Sequence, residues 1–147
     1  GATSRLYRTL VVENKLATSA GAYYGPGRLG PSSLSVYASP LPGIELDDLQ
    51  KAVEEQLERL LTDGISSDEV ERAKTRLQAE VIYAKDSPTS AARTVGALLA
   101  VGMTLDEIEA WPERVSDVST EQVNAAARAL LTEAPTGTGV LLPEGGV

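Results

Sequence analysis

The chain has 147 residues, with 21 acidic and 13 basic side chains and no histidine, cysteine or phenylalanine. Without histidine and cysteine, zinc sites built from the usual nitrogen and sulfur ligands are excluded, and so is catalysis by Ser-His-Asp or Cys-His sets. The net charge of −8 argues against nucleic acid or an anionic membrane as the main partner, because neutralising phosphates requires clustered lysines and arginines. Carboxylate chemistry, lysine or hydroxyl chemistry with an unusual base, and binding alone remain.

The charge is unevenly distributed along the chain. Residues 1–43 carry four basic side chains and one acidic side chain, whereas residues 44–147 carry nine basic and twenty acidic ones. One interpretation is a basic N-terminal surface that binds an acidic partner or a peptide carboxylate. The other is a chance imbalance beside solvated acidic helices. No apolar run approaches the roughly 20 residues that cross a membrane, so no such span is predicted.

The N-terminal part of the sequence predicts a helix followed by a β-hairpin. Apolar side chains recur at helical spacing within residues 3–14, which indicates a short amphipathic helix. Two strands follow at residues 16–24 and 32–39, joined by a loop rich in glycine and proline. The small residues at positions 20–22 allow a helix or another backbone to approach the first strand closely.

The rest of the chain is predicted to be helical until its last residues. Capping boxes, which satisfy otherwise unpaired amides at a helix start, are formed by Ser or Thr with Glu or Gln three residues later. The pairs are Ser66/Glu69, Thr104/Glu107 and Ser119/Gln122. Together with a start at Ser87-Pro88, they predict helices near 45–62, 67–85, 88–101, 105–111 and 120–132. Pro112 is expected to interrupt the helix that carries Trp111, which is interpreted as a helix-end core anchor.

A final apolar run at residues 138–142 predicts a strand that returns to the hairpin. The predicted fold class is α+β, with an antiparallel sheet (the hairpin plus this C-terminal strand) covered on one face by about five to six helices. Three strands leave an unpaired edge, which proteins normally cover. The sequence also starts at Gly1 without an initiator Met. We therefore expect residues 1–147 to be a single partial domain, and we expect self-association through the exposed sheet edge.

Several short segments along the chain match one family in the same order. They are Ser4-Arg5-Leu6-Tyr7-Arg8 with Leu10-Val11, Glu13 and Lys15-Leu16-Ala17; Pro42-Gly43; Gly64-Ile65-Ser66 with Glu69-Val70 and Ala73-Lys74; Asp86-Ser87 with Ala91-Ala92; and Gly96 to Gly102. Each is common alone, but the ordered set resembles the second domain of the insulinase-like zinc peptidases. That family includes pitrilysin, the mitochondrial processing peptidases and their short bacterial relatives. The resemblance runs from about Ala2 to Pro143.

The resemblance implies a clamshell of repeated α/β domains around a closed chamber in which peptides are degraded or processed. An inverted His-x-x-Glu-His motif in the N-terminal domain, with a downstream Glu, binds zinc, and the motif Glu activates water. This chain lacks the motif. It is therefore expected to be a C-terminal, non-zinc-binding domain, without its opening strand and helix, that forms part of the substrate chamber beside the N-terminal zinc-binding domain and is inactive alone. The alternative is a non-catalytic assembly or substrate-presenting subunit of the same fold family.

The family also implies an arginine followed seven positions later by a tyrosine, both of which contact the substrate carbonyl. Aligned through Leu16-Ala17, these positions fall on Val11 and Thr18, which cannot replace them. A slipped register that uses Arg8 and a tyrosine of the first strand has the wrong spacing. No catalytic or metal-ligating residue is predicted in this chain, and a complementary subunit that carries the Arg/Tyr pair is implied. The resemblance favours the periplasm over the cytoplasm and leaves both open.

Three side chains are candidates for binding the peptide substrate. Arg5 could face the chamber, and a structural ion pair is the other interpretation. Tyr23 and Tyr24, together with Tyr37, could form a substrate-facing strand surface. Strand alternation puts Tyr23 and Tyr24 on opposite faces, so at least one of them is expected in the core. Two adjacent carboxylate pairs are expected to lie on solvated helix faces: Asp47-Asp48 and Glu54-Glu55.

Overall fold

A computed structural model describes residues 4–25, 27–85 and 88–142. These residues form a β-hairpin and a series of helices, so the predicted α+β class is confirmed. The elements in chain order are α1 (Arg5–Tyr7), a π-helical segment (Arg8–Glu13), β1 (Ala17–Tyr24), β2 (Leu34–Pro40), α2 (Leu46–Asp63), α3 (Ser67–Lys85), α4 (Pro88–Ala100), α5 (Leu105–Glu109), α6 (Trp111–Asp117) and α7 (Thr120–Thr132).

The N-terminal helix comprises α1 and the π-helical segment that continues it, residues 5–13. The wider turn is visible where the amide of Asn14 donates to the carbonyl of Thr9, five residues back, at 2.9 Å. Lys15 then adopts a positive φ of 52°, which ends the helix and directs the chain into β1. The predicted amphipathic helix is confirmed over its described part.

The two strands of the hairpin pair in antiparallel register, with Ala20 opposite Ala38. The register shifts by one residue at Thr18, which forms a bulge between two paired positions. A bulge of this kind displaces the alternation of faces, and for that reason Ala17 and Ala20 are both buried although they are three positions apart.

The small residues at positions 20–22 allow close approach on both faces of β1. Ala20 is buried together with Leu10 of the N-terminal helix and Leu49 of α2, as expected for a close helix approach. Gly21 lies on the opposite face, where a Cβ atom would be 2.8 Å from the hydroxyl of Tyr37. At Gly21 the close approach therefore comes from a side chain rather than from a helix or another backbone.

The helix starts follow the capping signals. In all three capping boxes the first hydroxyl accepts from the amide three residues later at 3.2–3.3 Å, and the later side chain accepts in return at 2.8–3.0 Å. The bounds of α2, α3 and α7 agree with the predicted ones to within one residue. Gly64 ends α2 with φ 74°. α4 begins at Pro88, and the predicted start at Ser87 lies outside the described residues.

Ala110 separates two short helices close to Pro112. α5 ends at Glu109, and α6 begins at Trp111 with Pro112 in its first turn, where the missing amide donor has no intrahelical partner to lose. The prediction that Pro112 interrupts the helix carrying Trp111 is wrong, because the break lies at Ala110 and the helix that carries Trp111 is α6, which continues through Pro112 to Asp117. A proline in the first turn is compatible with a helix start, so Pro112 opens α6 instead of ending α5. Trp111 is partly buried.

The buried core lies where the N-terminal helix, β1 and the first turn of α2 meet. It consists of Leu10, Ala17, Ala20 and Leu49. Burial of an aliphatic side chain such as Leu10 stabilises the fold by about 1.5–3 kcal/mol. The hairpin contacts mainly the N-terminal helix and α2, while α3, α4, α5, α6 and α7 pack mostly on other helices. No helix in the described ranges is long and apolar enough to cross a membrane.

The strand predicted at residues 138–142 does not form, and the sheet of the described residues has two strands rather than three. The side chains of residues 140–142 are 57–95% exposed. Little hydrophobic burial is therefore present to offset the entropy lost in ordering this segment, and the neighbouring Gly137 and Gly139 increase that entropy. Both outer edges of the hairpin are unpaired within the part of the chain that the structure describes.

Candidate functional site

Arg5 lies at a junction between helices. Its guanidinium donates to the two carboxylate oxygens of Glu69 at 3.1 and 2.8 Å, and to the carbonyl of Gly64 at 3.0 Å. The side chains of Arg5 and Glu69 are 29% and 30% exposed. This is the geometry of the structural ion pair, the second interpretation of Arg5, and a role for Arg5 in substrate binding stays a prediction.

Glu69 has two sets of partners at this junction. It completes the capping box with Ser66 at the start of α3, and it receives the bidentate contact from Arg5. Partial burial raises the pKa of Glu69, but the hydrogen bonds from Arg5 and Ser66 together outweigh that effect and lower the pKa from 4.5 to about 2. The carboxylate is therefore ionised at neutral pH, and its contact with Arg5 is charge-assisted.

Asn124 of α7 binds the same loop from the other side. Its Oδ1 accepts from the amide of Ile65 at 2.7 Å, and its Nδ2 donates to the carbonyls of Ile65 and Thr120 at 2.9 and 3.0 Å. A Cβ atom at Gly64 would lie 3.0 Å from Oδ1 of Asn124, so glycine leaves room for this contact. Sequence reasoning missed Asn124, because no local pattern relates residues that are 59 positions apart.

The most accessible candidate surface is the face of the hairpin that points away from the helices. We call it the outer face, and it consists of Ser19, Gly21, Tyr23, Ser35, Tyr37 and Ser39. Tyr23 is 67% exposed and Tyr37 is 54% exposed. Tyr23 is opposite Ser35 and Tyr37 is opposite Gly21, so the two rings are diagonal neighbours on adjacent strands. The outer face therefore offers aromatic rings, hydroxyl groups and backbone to a ligand.

Tyr24 lies on the helix-facing side of the hairpin, opposite Leu34. Leu34 lines an apolar cleft of about 430 Å³ between this side, α2 and α7. Tyr24 is 52% exposed and Tyr23 is 67% exposed, so the expectation that at least one of them lies in the core is wrong. The reason is their position along β1, because the buried cluster is at the Ala17–Ala20 end and the tyrosines are at the other end.

The positions aligned with the family's arginine and tyrosine carry neither side-chain type. Val11 is partly buried against the core. Thr18 is exposed at the bulge, where its hydroxyl donates to the carbonyl of Ser39 at 3.3 Å. Arg8, which the slipped register would use, pairs with Glu13 at 2.7 Å.

The acidic residues do not assemble a metal centre within residues 4–25, 27–85 and 88–142, where no group of three or more His, Cys, Asp or Glu side chains could hold an ion. The carboxylate pairs at 47–48 and 54–55 are exposed, as predicted. Asp47 and Asp48 lie in the first turn of α2, where negative charge is favourable beside the helix N-terminus. The accessible groups of the described chain are aromatic rings, hydroxyls and charged side chains, which can stack, form hydrogen bonds and form ion pairs.

Comparison with known proteins relates the chain to one peptidase family. The family model described as the peptidase M16 inactive domain matches residues 1–77, about half of the chain. The uncharacterized zinc protease YmxG of Bacillus subtilis strain 168 is 30% identical over 134 residues, covering 89% of the chain and 32% of YmxG. The chain thus spans about a third of the length of this relative. The matched residues include the outer face and the Arg5–Glu69 junction.

Two solved structures share the fold. A protease from Helicobacter pylori gives a TM-score of 0.75 at 24% sequence identity, covering 87% of this chain and 30% of that protein. A candidate zinc protease from Bordetella pertussis Tohama I gives a TM-score of 0.74 at 25% identity, covering 90% of this chain and 71% of the other. The arrangement of hairpin and helices described above is therefore present in both proteins.

Proposed function

Because this chain belongs to the family of the peptidase M16 inactive domain, we propose that it forms part of the substrate chamber of a zinc-dependent endopeptidase. The chain is the non-catalytic part of such a protein. In this proposal the zinc is bound by a preceding N-terminal domain, and the two domains enclose the peptide substrate between them.

The observation that carries the proposal is the family match over residues 1–77. Zinc in the parent protein is supported by the name of YmxG, a zinc protease that is 30% identical to this chain. The chain itself contains no histidine or cysteine. The nitrogen or sulfur ligands of a zinc ion would therefore come from another part of the protein.

The outer face is the surface that we assign to the substrate. Tyrosine supplies a large contact area at low cost in conformational entropy, and serine and glycine supply adaptable hydrogen bonding. A face made of these residue types contacts a peptide with little dependence on its sequence. The unpaired hairpin edges support the same assignment, because an extended peptide can add to such an edge as a further strand.

A second candidate function is a non-catalytic assembly or substrate-presenting subunit of the same fold family. The observation that favours it is that Val11 and Thr18 occupy the positions of the family's arginine and tyrosine. In the peptidase proposal a complementary subunit supplies that pair. In the alternative the parent protein has no zinc motif at all, and activity belongs to its neighbour. The periplasm is proposed for both, and cell fractionation checks it.

Sequencing the coding DNA upstream of Gly1 separates the two functions. We expect a preceding α/β domain with His-x-x-Glu-His, and the complete protein with its complementary subunit should then contain stoichiometric zinc and cleave peptides. A preceding domain of the same fold without the motif would reject the peptidase proposal and favour the assembly subunit.

Binding at the outer face is tested with a neutral, unstructured fluorescent peptide. We expect Tyr23→Ser/Tyr37→Ser to weaken its binding about tenfold, because each aromatic contact contributes about 0.5–1.5 kcal/mol. Leu105→Ser, which removes a 54% exposed side chain on α5, is the matched control and should leave binding unchanged. Tyr24→Ser examines the helix-facing side, and a loss confined to that variant would reject the outer face as the site.

A further inference from the structure

A polar groove of about 700 Å³ separates the N-terminal helix from α3. We call it the arginine groove, because four arginines line it together with two glutamates and several small or hydroxyl side chains. The arginines are Arg5, Arg8, Arg72 and Arg76. The chain as a whole has a net charge of −8, so arginines on both facing walls distinguish the groove from the rest of the molecule.

Three of these arginines have hydrogen-bond donors that their acidic neighbours do not use. Arg5 is bound at the junction described above, whereas the side chains of Arg8, Arg72 and Arg76 are 71%, 68% and 54% exposed. Among the described residues, each has one acidic neighbour within 4 Å: Glu13 at 2.7 Å, Asp68 at 3.3 Å and Glu80 at 3.8 Å, respectively. A guanidinium has five N–H donors, so most remain for a further acceptor. Exposed ion pairs contribute little to stability. An incoming carboxylate can therefore replace the acidic partner of such an arginine with little loss of free energy.

A shielded hydroxyl lies in the same groove. The Oγ atom of Ser4, a lining residue, is buried and has no hydrogen-bond partner within the described chain. A buried polar atom without a partner costs free energy, and such atoms are normally satisfied by water or a ligand. Because this atom is inaccessible to solvent, a carboxylate in the groove can accept a hydrogen bond from it only after the Ser4 side chain turns toward the groove.

We propose that the arginine groove binds an extended acidic segment of another polypeptide, with carboxylates on alternate residues. Arg72 and Arg76 are four residues apart on α3, about 6 Å along the helix axis, and alternate residues of an extended chain are about 6.6 Å apart. The α3 wall runs from Glu69 to Ala79, about 15 Å, which four or five extended residues span. The planar guanidinium matches a planar carboxylate in a bidentate contact.

The net charge of the chain restricts the occupant further. A nucleic acid is a polyanion along its whole length, and it would be repelled by a chain of net charge −8. A short acidic peptide carries a few charges that the groove can match one by one. The inference goes beyond the proposed function, because binding in the arginine groove needs neither a zinc-binding domain nor a chamber.

The test measures the affinity of the 147-residue chain for fluorescein-labelled Gly-Glu-Ala-Glu-Ala-Glu-Gly by fluorescence anisotropy. We expect binding that weakens with added salt, and binding at least about tenfold weaker for the peptide with glutamine in place of glutamate. Arg72→Gln/Arg76→Gln should weaken binding of the acidic peptide about tenfold. The matched control is Arg59→Gln/Arg128→Gln, which removes the same charge from exposed positions outside the groove and should keep the wild-type affinity. Circular dichroism melts verify that each variant is folded.

Several results would overturn the proposal. Equal binding of the glutamine peptide, or an equal loss in both double variants, would mean that the groove does not recognise carboxylates. If acetate at the same carboxylate concentration displaced the acidic peptide, the groove would be a simple anion site and not a peptide site. Self-association that disappears in Arg72→Gln/Arg76→Gln, without peptide binding, would assign the groove to a second copy of the chain. None of these results affects the outer face, which is tested with a neutral peptide.

Discussion

Arg5 connects parts of the chain that are distant in sequence. It lies in the N-terminal helix, and it binds Gly64, the first residue of the α2–α3 loop, and Glu69 in the first turn of α3. Asn124 holds the middle of the same loop from α7. The loop amides and carbonyls are therefore paired by side chains from both sides, so each of these side chains also fixes how two helices meet.

The first prediction is that Arg5→Ala lowers the free energy of unfolding by about 1–3 kcal/mol, because a charged hydrogen bond is lost and Glu69 remains partly buried without its partner. Urea denaturation measures the change. Arg8→Ala is the matched control three residues along the same helix, and its exposed pair with Glu13 should be worth less than about 1 kcal/mol. Equal losses in the two variants would contradict a structural role for Arg5.

The second prediction concerns acid stability. The pKa of Glu69 is about 2 in the folded chain and 4.5 as its ordinary value. Between these values the unfolded chain binds more protons than the folded chain, so the contribution of Glu69 is complete above about pH 4.5 and is lost as the pH falls toward 2. The difference in unfolding free energy between the wild-type chain and Glu69→Gln should therefore shrink over this interval.

Two first-turn carboxylates, one in α5 and one in α7, affect the same measurement. Hydrogen bonds at the helix starts also lower the pKa values of Glu107 and Glu121. Both residues are present in the wild-type chain and in Glu69→Gln, so the difference curve isolates Glu69. A difference that is constant from pH 6 to pH 2.5 would show that the charge on Glu69 does not stabilise the folded chain.

At the scale of elements, the N-terminal helix covers one end of the hairpin and packs against β1 there. Its residue Leu10 is fully buried beside Ala17 and Ala20 of β1. The bulge at Thr18 is what directs both alanines to the same side. At the other end of the hairpin, Tyr23 and Tyr24 are both more than half exposed. The hairpin is therefore packed against the helices at its Ala17–Ala20 end, and its outer face is accessible at the tyrosine end.

The third prediction is that Leu10→Ala destabilises the chain by about 2–5 kcal/mol, because a cavity replaces a side chain that has no exposed surface. Val12→Ala, two residues away and 56% exposed, should change stability by no more than about 0.5 kcal/mol. Thermal or urea unfolding compares the two variants. A small loss of unfolding free energy in Leu10→Ala would mean that the N-terminal helix is not the centre of the core.

At the scale of the whole molecule, the chain is a non-catalytic domain of the M16 peptidase family. Among the residues that the structure describes, it has unpaired hairpin edges and an exposed tyrosine face. Exposed strand edges pair readily with other chains. The chain also spans about a third of YmxG, its zinc-protease relative. The proposed assembly with other polypeptide segments rests on the exposed face and edges of the hairpin.

The fourth prediction is that the purified 147-residue chain carries no stoichiometric zinc and cleaves no peptide, because it has neither histidine nor cysteine to form the usual site. Elemental analysis after dialysis and a fluorogenic peptide assay measure both properties. One tightly bound zinc per chain would refute the expectation and would require an all-oxygen site.

The fifth prediction is concentration-dependent self-association through the unpaired hairpin edges. Sedimentation velocity over a wide concentration range should show a rising average mass, and Arg72→Gln/Arg76→Gln should not change it because the arginine groove is on the helices. A monomer at the highest concentration would count against edge pairing.

Much of the secondary structure of this protein can be predicted from its sequence, because capping and turn signals depend on residues only a few positions apart. The capping boxes place helix starts within one residue, since each box needs only a hydroxyl and a carboxylate or amide three positions apart. The hairpin follows from alternation around a glycine- and proline-rich loop. The ordered motifs also identified the peptidase family, which the family match confirms.

The tertiary structure decided what depends on distant partners. The pairing of Arg5 with Glu69 joins residues 64 positions apart, and the exposure of Tyr23 and Tyr24 depends on where the helices end against β1. The apolar run at 138–142 looks like a strand, but a strand needs a partner edge and buried area, and this one has neither in the described chain. Hydrogen bonds between near neighbours can be predicted from the local sequence, whereas burial and long-range ion pairing depend on how the chain packs.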